Sequence, residues 1–329
     1  MLSFFSITII SYLLFPFSFS YAIEVIDRVP NNILIYHRFN DDRYPSTNTT
    51  LKQFEEQIQY LKNNHYKFIT LSELMANPKM NEKSVSITVD DAYKSFYEFG
   101  FPVLKKYDIP ATLFLSTGSV GSFEHLTWDQ LKELLAYGID IQNHTHSHSH
   151  MPEQTIEEIE NEILTSQKII YDNLGIEPDL FAYPYGEASA KSQKILKKYF
   201  KAAFGQHSGA FSINDPYYIS RFPINENFGS IDRIREASSV LSFNHSTISP
   251  SDPFMQIPQK RFVLDFLEDP NLINCFFSDI KGSISATKIL VDLKLLFELD
   301  RIPNKGRLRV NCTKIDQEIY WFGYQFYLN

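Results

Sequence analysis

The stretch Val85-Ser86-Ile87-Thr88-Val89-Asp90-Asp91-Ala92-Tyr93 carries a β-branched, apolar run straight into two adjacent carboxylates. Val85 to Val89 has the composition of a strand. Acids at the C-terminal end of a strand are informative, because active sites of βα-barrels and doubly wound sheets form at that edge. Successive strand side chains point to opposite faces, but at the turn where the strand ends both can reach one site. One can then bind a metal while the other stays free to move a proton. The competing reading is a helix N-cap, where Asp is also favoured.

Outward from this strand, short apolar runs alternate with helical patterns between residues 31 and 225. The other strand-like runs are Ile33 to Tyr36, Lys67 to Ile69, Ala111 to Leu115, Ile139 to Ile141, Leu180 to Tyr183 and Lys201 to Phe204. Phe54, Ile58 and Leu61 repeat at helical spacing after Thr49-Thr50, and Thr127 caps a helix with Leu131, Leu134 and Leu135 that stops at Gly138. The clearest helix is Thr155 to Leu174, whose Glu157, Glu158, Glu160 and Glu162 suit the helix dipole. This alternation is the signature of a parallel sheet or barrel covered by helices.

After a short helix at Ile231 to Glu236, composition shifts to Ser, Pro and Asn, and residues 241–258 read as a linker. Alternating runs at Arg261 to Phe266, Lys288 to Leu293 and Ile319 to Tyr327 predict a β-rich domain over 259–329. Cys275 and Cys312 are the only cysteines. They either pair in an oxidising compartment or stand as small buried apolar residues. Residues 1–22 are uncharged and mostly apolar or hydroxylic, and Ser20-Tyr21-Ala22 suits signal-peptidase cleavage. The expectation is an exported protein, periplasmic or secreted, with residues 23–240 as its main domain and no stable membrane span after cleavage. At 329 residues and 43% apolar composition a large core is available. A formal charge of −8 without any basic run excludes nucleic acid as the expected partner and favours a neutral or cationic substrate.

Behind the run Ile139-Asp140-Ile141 lies Asn143-His144-Thr145-His146-Ser147-His148-Ser149-His150, which holds four of the nine histidines. Imidazole is a common metal ligand, and residues four apart meet on one face of a helical turn, so either His144 with His148 or His146 with His150 can chelate one divalent ion. Two histidines and one carboxylate leave coordination open for water and substrate, as hydrolytic sites require.

These motifs resemble the polysaccharide deacetylase family, the NodB-homology or carbohydrate esterase four domain, over residues 31 to about 225. Thr88-Val89-Asp90-Asp91 is similar to its Thr-Phe-Asp-Asp motif, which implies Asp90 as general base and Asp91 as metal ligand. His144-Thr145-His146-Ser147-His148 is similar to its second motif, which selects His144 and His148 as the ligands. Phe181-Ala182-Tyr183-Pro184-Tyr185-Gly186 resembles the third, which lines the groove with Tyr183, Pro184 and Tyr185 and holds the oxyanion on the Tyr185 N–H. The family usually has an Arg where this chain has Ala182, and Arg221 is the candidate to supply that charge from another strand. The family's usual C-terminal motif with a general-acid His is not visible after residue 205. Instead Ile35-Tyr36-His37-Arg38 resembles the subgroup acting on poly-N-acetylglucosamine, with His37 as general acid.

The resemblance implies a deformed (β/α) barrel of about seven strands. It also implies metal-assisted removal of N-acetyl groups from an amino-sugar polysaccharide, with acetate released and Zn2+ the ion that suits these ligands. An O-acetyl esterase on the same residues, or a non-catalytic carbohydrate-binding protein, are the alternatives. Tyr183, Tyr185 and Trp128 are candidate sugar-stacking rings.

Overall fold

The computed structural model describes residues 29–243 and 245–329, so the proposed signal segment lies outside the described residues. The chain begins with β1 (Asn31–Tyr36), a small parallel pair β2 (Arg38–Phe39) and β3 (Asn48–Thr49), and α1 (Leu51–Asn63). There follow β4 (Lys67–Phe68), α2 (Leu71–Ala76), β5 (Ser84–Asp90), α3 (Phe101–Tyr107), β6 (Thr112–Leu115) and α4 (Trp128–Tyr137). Next come β7 (Asp140–Asn143), α5 (Ile156–Leu174), β8 (Leu180–Ala182), α6 (Ala190–Leu196), β9 (Ala202–Phe204), β10 (Phe222–Pro223) and α7 (Ile231–Ser239).

The parallel strands run in the order β10-β1-β5-β6-β7-β8-β9, with β4 added beside β5. All seven strand runs read from the sequence are present. The eighth, β10, is only Phe-Pro and carries no alternating pattern. It has a structural consequence, because Ile219 bridges Phe204 in parallel while Phe222 pairs with Leu34. The segment 219–223 thus crosses from β9 back to β1 and curls the sheet into a deformed barrel. β1 and β5 are buried along their whole length, as strands covered on both faces must be.

The helices start where their caps dictate. Thr50 with Gln53, Thr127 with Gln130 and Thr155 with Glu158 each close a capping box. Gly138 and Gly175 take left-handed conformations that end α4 and α5.

Beyond α7 the chain forms β11 (His245–Ser249), β12 (Phe254–Met255), β13 (Arg261–Phe266), β14 (Asn274–Asp279), β15 (Gly282–Ile284), β16 (Ala286–Val291), β17 (Lys294–Leu299), β18 (Gly306–Ile315) and β19 (Ile319–Leu328). They build a four-stranded sheet, β11-β13-β17-β16, and a five-stranded sheet, β12-β19-β18-β14-β15. Residues 241–258 are therefore not a linker. Their Ser, Pro and Asn content masked β11, which pairs with β13, and β12, which pairs with β19. The two cysteines face each other on β14 and β18 and are joined in a disulfide.

The sheets share a hydrophobic cluster with the barrel: Phe181, Tyr183 and Ile195 pack in one group with Phe262, Phe277, Phe297 and Phe326. Gly323 on β19 lies directly on residues 208–209, where a Cβ would overlap the Ser208 carbonyl oxygen.

A buried carboxylate pins the turn after β14. Asp279 accepts from Arg301 Nη1 and Nη2 at 2.6 and 2.8 Å, from the Asn304 backbone and side chain, and from the Lys281 N–H. The Arg301 hydrogen bonds, opposed by burial and assisted by the neighbouring N–H groups, hold its carboxyl well below the usual carboxylate range. A depressed carboxyl contributes stability that is fully present above its unfolded pKa and is lost as pH falls toward the folded value. Asp279→Ala is expected to cost about 2–3 kcal/mol at neutral pH, with the deficit shrinking from about pH 4 downward. Urea unfolding of both chains across a pH series checks this.

Candidate active site and metal centre

The candidate residues gather at the C-terminal edge of the parallel strands, the edge where such barrels place their chemistry. Asp90 is the last residue of β5, His37 follows β1, His144 follows β7, and Tyr185 lies beyond β8.

Five non-glycine residues in this region hold positive φ: Asp91 (71°), Ala92 (56°), Thr145 (69°), His148 (54°) and Tyr185 (58°). Such conformations cost free energy and concentrate at functional sites. The left-handed pair Asp91-Ala92 breaks strand alternation, so that the two carboxylates serve one site. The histidine segment is likewise not the helical turn that its spacing suggested. It is a loop, held by the Asn143 side chain on the Thr145 N–H, by the Thr145 hydroxyl on the His148 N–H, and by Glu162. Glu162, expected to serve the helix dipole, accepts instead from the backbone N–H groups of His146 and Ser147 and from the Ser147 hydroxyl.

Asp91 Oδ1 lies 3.4 Å from His144 Nε2 and 3.1 Å from His148 Nε2. Ligand atoms about 2.0–2.2 Å from one ion in tetrahedral geometry stand roughly 3.3–3.5 Å apart, so this triad fits a divalent cation. Among the described residues it is the one group of three whose ligand atoms converge in this way. His144 Nδ1 donates to the Ala182 carbonyl at 2.7 Å, which fixes the ring and leaves Nε2 as the ligand atom. The alternative pair is spoken for elsewhere: His146 Nδ1 is 2.9 Å from the Thr117 hydroxyl, and His150 Nδ1 is 2.6 Å from Glu187. Burial would raise the Asp91 carboxyl, but hydrogen bonds from His144 and His148, followed by the charges of His144 and His37, bring it well below its usual value. Burial likewise opposes the charged form of His144, and Asp91 and Asp90 outweigh it. Both shifts mark a site that favours positive charge.

Asp90 is buried and paired with a fully buried Arg221 in a bidentate bridge, Nη1 to Oδ1 and Nη2 to Oδ2, both 2.8 Å. The guanidinium also donates to Thr88 and to the Gly205 carbonyl. Arg221 thus approaches Asp90 from the segment that closes the barrel. Burial alone would raise the Asp90 carboxyl; the charge and hydrogen bonds of Arg221, with smaller help from His144 and His37, hold it below its ordinary value.

His37 is buried, and its Nε2 accepts from the Gln206 side-chain amide at 2.8 Å. Burial pushes it below its ordinary value, against the pull of the Asp91 and Asp90 carboxylates. Tyr185 is half-buried, with its ring 4.5 Å from His148 and stacked 4.2 Å from His150. Pro184 is buried beside it. Tyr183 is fully buried with its hydroxyl on the Tyr217 carbonyl, so it is not a sugar-stacking surface, while Trp128 is half-buried with one side packed against the barrel core.

Next to the triad opens a groove of about 480 Å³, lined by Asp91, Tyr93, Ser119, His125, Ser147 and His148 among others. Tyr93 and His125 lie with rings 4.8 Å apart, and Arg38 covers the Tyr93 ring at 3.6 Å. Tyr93, His125 and Gln206 were not singled out from the sequence. Only Tyr93 carried a signal, its place two residues beyond the Asp pair.

Residues 77–202 match the family model described as polysaccharide deacetylase. The chain is 30% identical over 214 residues to the poly-beta-1,6-N-acetyl-D-glucosamine N-deacetylase of Staphylococcus aureus, covering 59% of this chain and 74% of that one. The chain belongs to the polysaccharide deacetylase family. This deacetylase-family chain is also 33% identical over 170 residues to the Bacillus subtilis protein YxkH, named for the same family, covering 50% of this chain and 60% of that protein's length. Among solved structures it is similar to the Streptococcus pyogenes deacetylase PplD in complex with acetate, with a TM-score of 0.59, 25% identity, and 64% of this chain and 99% of that one covered. IcaB from Ammonifex degensii matches with a TM-score of 0.56 and 26% identity, over 64% of this chain and 97% of that one. The resemblance to the poly-N-acetylglucosamine deacetylase-like subgroup is supported by the S. aureus and IcaB matches. Among the described residues no helix is long and apolar enough to cross a membrane.

Proposed function

We propose that this chain is a metal-dependent polysaccharide N-deacetylase, acting on a polymer of N-acetylated amino sugars and releasing acetate. The observation that carries the reading is the convergence of Asp91, His144 and His148 next to an Arg221-paired Asp90. A structural metal site would have no use for the second carboxylate. A non-catalytic carbohydrate-binding protein would have no use for the buried Asp90–Arg221 bridge.

Asp91, His144 and His148 would hold the cation, of which Zn2+ suits the ligands best; when bound it supplies Lewis acidity that polarises an acyl carbonyl and acidifies water. Asp90 takes a proton from the attacking water. Arg221 keeps that carboxylate ionised and oriented in its dry pocket. The Tyr185 N–H donates to the oxyanion formed from the acetyl carbonyl. His37 delivers a proton to the leaving amine. Because burial depresses His37, it stands mostly neutral in the free chain at neutral pH and takes up its proton during the reaction. The groove beside Asp91 offers serine hydroxyls and the edges of Tyr93 and His125 to the sugar. The S. aureus match favours a β-1,6-linked N-acetylglucosamine polymer as substrate. Export to the periplasm or outside the cell, where such polymers reside, is supported by the character of residues 1–22 and by the disulfide.

The test is acetate release from poly-N-acetylglucosamine, chitin oligomers, peptidoglycan and matched O-acetylated glycans. Release from N-acetylated polymers supports the reading, and release from the O-acetylated panel alone would replace it by an esterase.

Arg221→Met is expected to lower kcat/KM by about 10–100-fold, the range for partners that orient reacting groups. Without the guanidinium, burial raises the Asp90 pKa, so the acid limb of the pH–rate profile should move to higher pH. An unmoved limb with full activity would remove Arg221 from the mechanism.

A further inference from the structure

The turn that presents Tyr185 is not held by the barrel alone. Gln325, on β19 and only 1% exposed, donates its side-chain amide to the Gly186 carbonyl at 3.1 Å and lies 3.4 Å from the Tyr185 carbonyl. The Tyr218 hydroxyl stands between the same carbonyl of Gly186, at 2.8 Å, and that of Gln325, at 2.9 Å. One residue on, the buried Glu187 is bridged to Arg307 of β18 at 2.9 Å and to His150 at 2.6 Å. The last two strands of the β-sheets thus grip both sides of a turn whose Tyr185 and Gly186 sit at φ 58° and 67°.

Gly186 in turn presses on the opposite side of the site. A Cβ on it would meet the Gln206 backbone nitrogen at 2.5 Å, so the turn and Gln206 are in direct backbone contact. Gln206 is the residue hydrogen-bonded to His37. A continuous path of contacts therefore runs from Gln325 through Gly186 and Gln206 to His37, with Tyr185 on its flank.

We propose that the C-terminal β-sheets are part of the catalytic unit, and that Gln325 is a positioning residue for the Tyr185–Gly186 turn and, through Gly186 and Gln206, for His37. This rests on the deacetylase reading for what is being positioned, but the mechanical claim stands on the contacts themselves. Left-handed backbone at a non-glycine residue persists only where its surroundings over-determine it, and Gln325 supplies a constraint that the barrel lacks. An error of about 1 Å in such a group costs on the order of 100-fold in rate.

The experiment compares Gln325→Leu with the wild-type chain in two measurements. Leu fills the space without the amide, and Tyr218 still serves the Gly186 carbonyl, so the fold is retained. Hydrogen exchange should quicken at least about tenfold in the peptide covering residues 183–188 while β5 and β7 stay unchanged. Acetate release should fall about 10–100-fold in kcat with KM and metal stoichiometry unchanged. A purely structural role would lower the melting temperature and leave kcat of the folded protein intact. Unchanged exchange at 183–188, or unchanged kcat, overturns the proposal. If the wild-type chain released no acetate from any glycan, the deacetylase reading would fall, and the exchange result would still decide whether Gln325 braces the turn.

Discussion

Asp90→Asn is expected to reduce acetate release by about 10³-fold, within the range for loss of a general base, while leaving divalent-ion binding intact. The substitution is isosteric and removes the one carboxylate of the pair that is not bonded to His144 and His148. Its cost to stability is real, because Arg221 is fully buried and loses its counter-charge; breaking such a pair typically costs about 3–5 kcal/mol. Melting curves must therefore accompany the kinetics, and the loss is counted only on folded protein. Added metal should not restore the rate. Wild-type activity in a folded Asp90→Asn chain would take the proton-transfer role away from this residue.

Asp91→Ala is expected to weaken divalent-ion affinity by more than about 100-fold, beyond what loss of an outer partner produces, and to abolish turnover at micromolar metal. Asp91 Oδ1 is the atom common to both histidine contacts, so its removal leaves two imidazoles with no anionic ligand. It also removes the largest influence that favours the charged form of His144, so burial then dominates that ring. Here, unlike Asp90→Asn, millimolar metal should return part of the activity, and that contrast separates the metal-holding carboxylate from the proton-moving one.

How far the sequence carried differs between elements for physical reasons. The buried strands β1, β5 and β6 announce themselves by their density of β-branched and apolar residues, whereas β7 shows only Ile139 and Ile141 around Asp140; α1, α4 and α5 are legible because their Thr caps and helical spacing agree. The Asp90-Asp91 pair and the histidine cluster 144–150 were readable because their chemistry and their place after a strand coincide, while the choice of His144 and His148 within that cluster came from the resemblance to the family and not from spacing. What could not be read is what depends on contact across the chain. β10 has two residues and no pattern, yet it curls the barrel, and the segment that leads into it brings Arg221 onto Asp90. The histidine loop reaches the expected convergence by left-handed residues, which Thr145 and His148 do not advertise. Residues 241–258 resembled a linker because edge strands beside Pro and Ser lack the apolar signature that β13 and β17 show. Gln206 and Gln325 are ordinary glutamines until the fold places one on His37 and the other on Gly186.

If Asp91, His144 and His148 share one cation, isothermal titration of metal-stripped protein with Zn2+, run beside the Asp91→Ala and His148→Ala chains, should show one ion bound per wild-type chain and its loss in both variants. A wild-type chain that binds none, or variants that bind as tightly as wild type, would show that the three side chains do not hold a common ion.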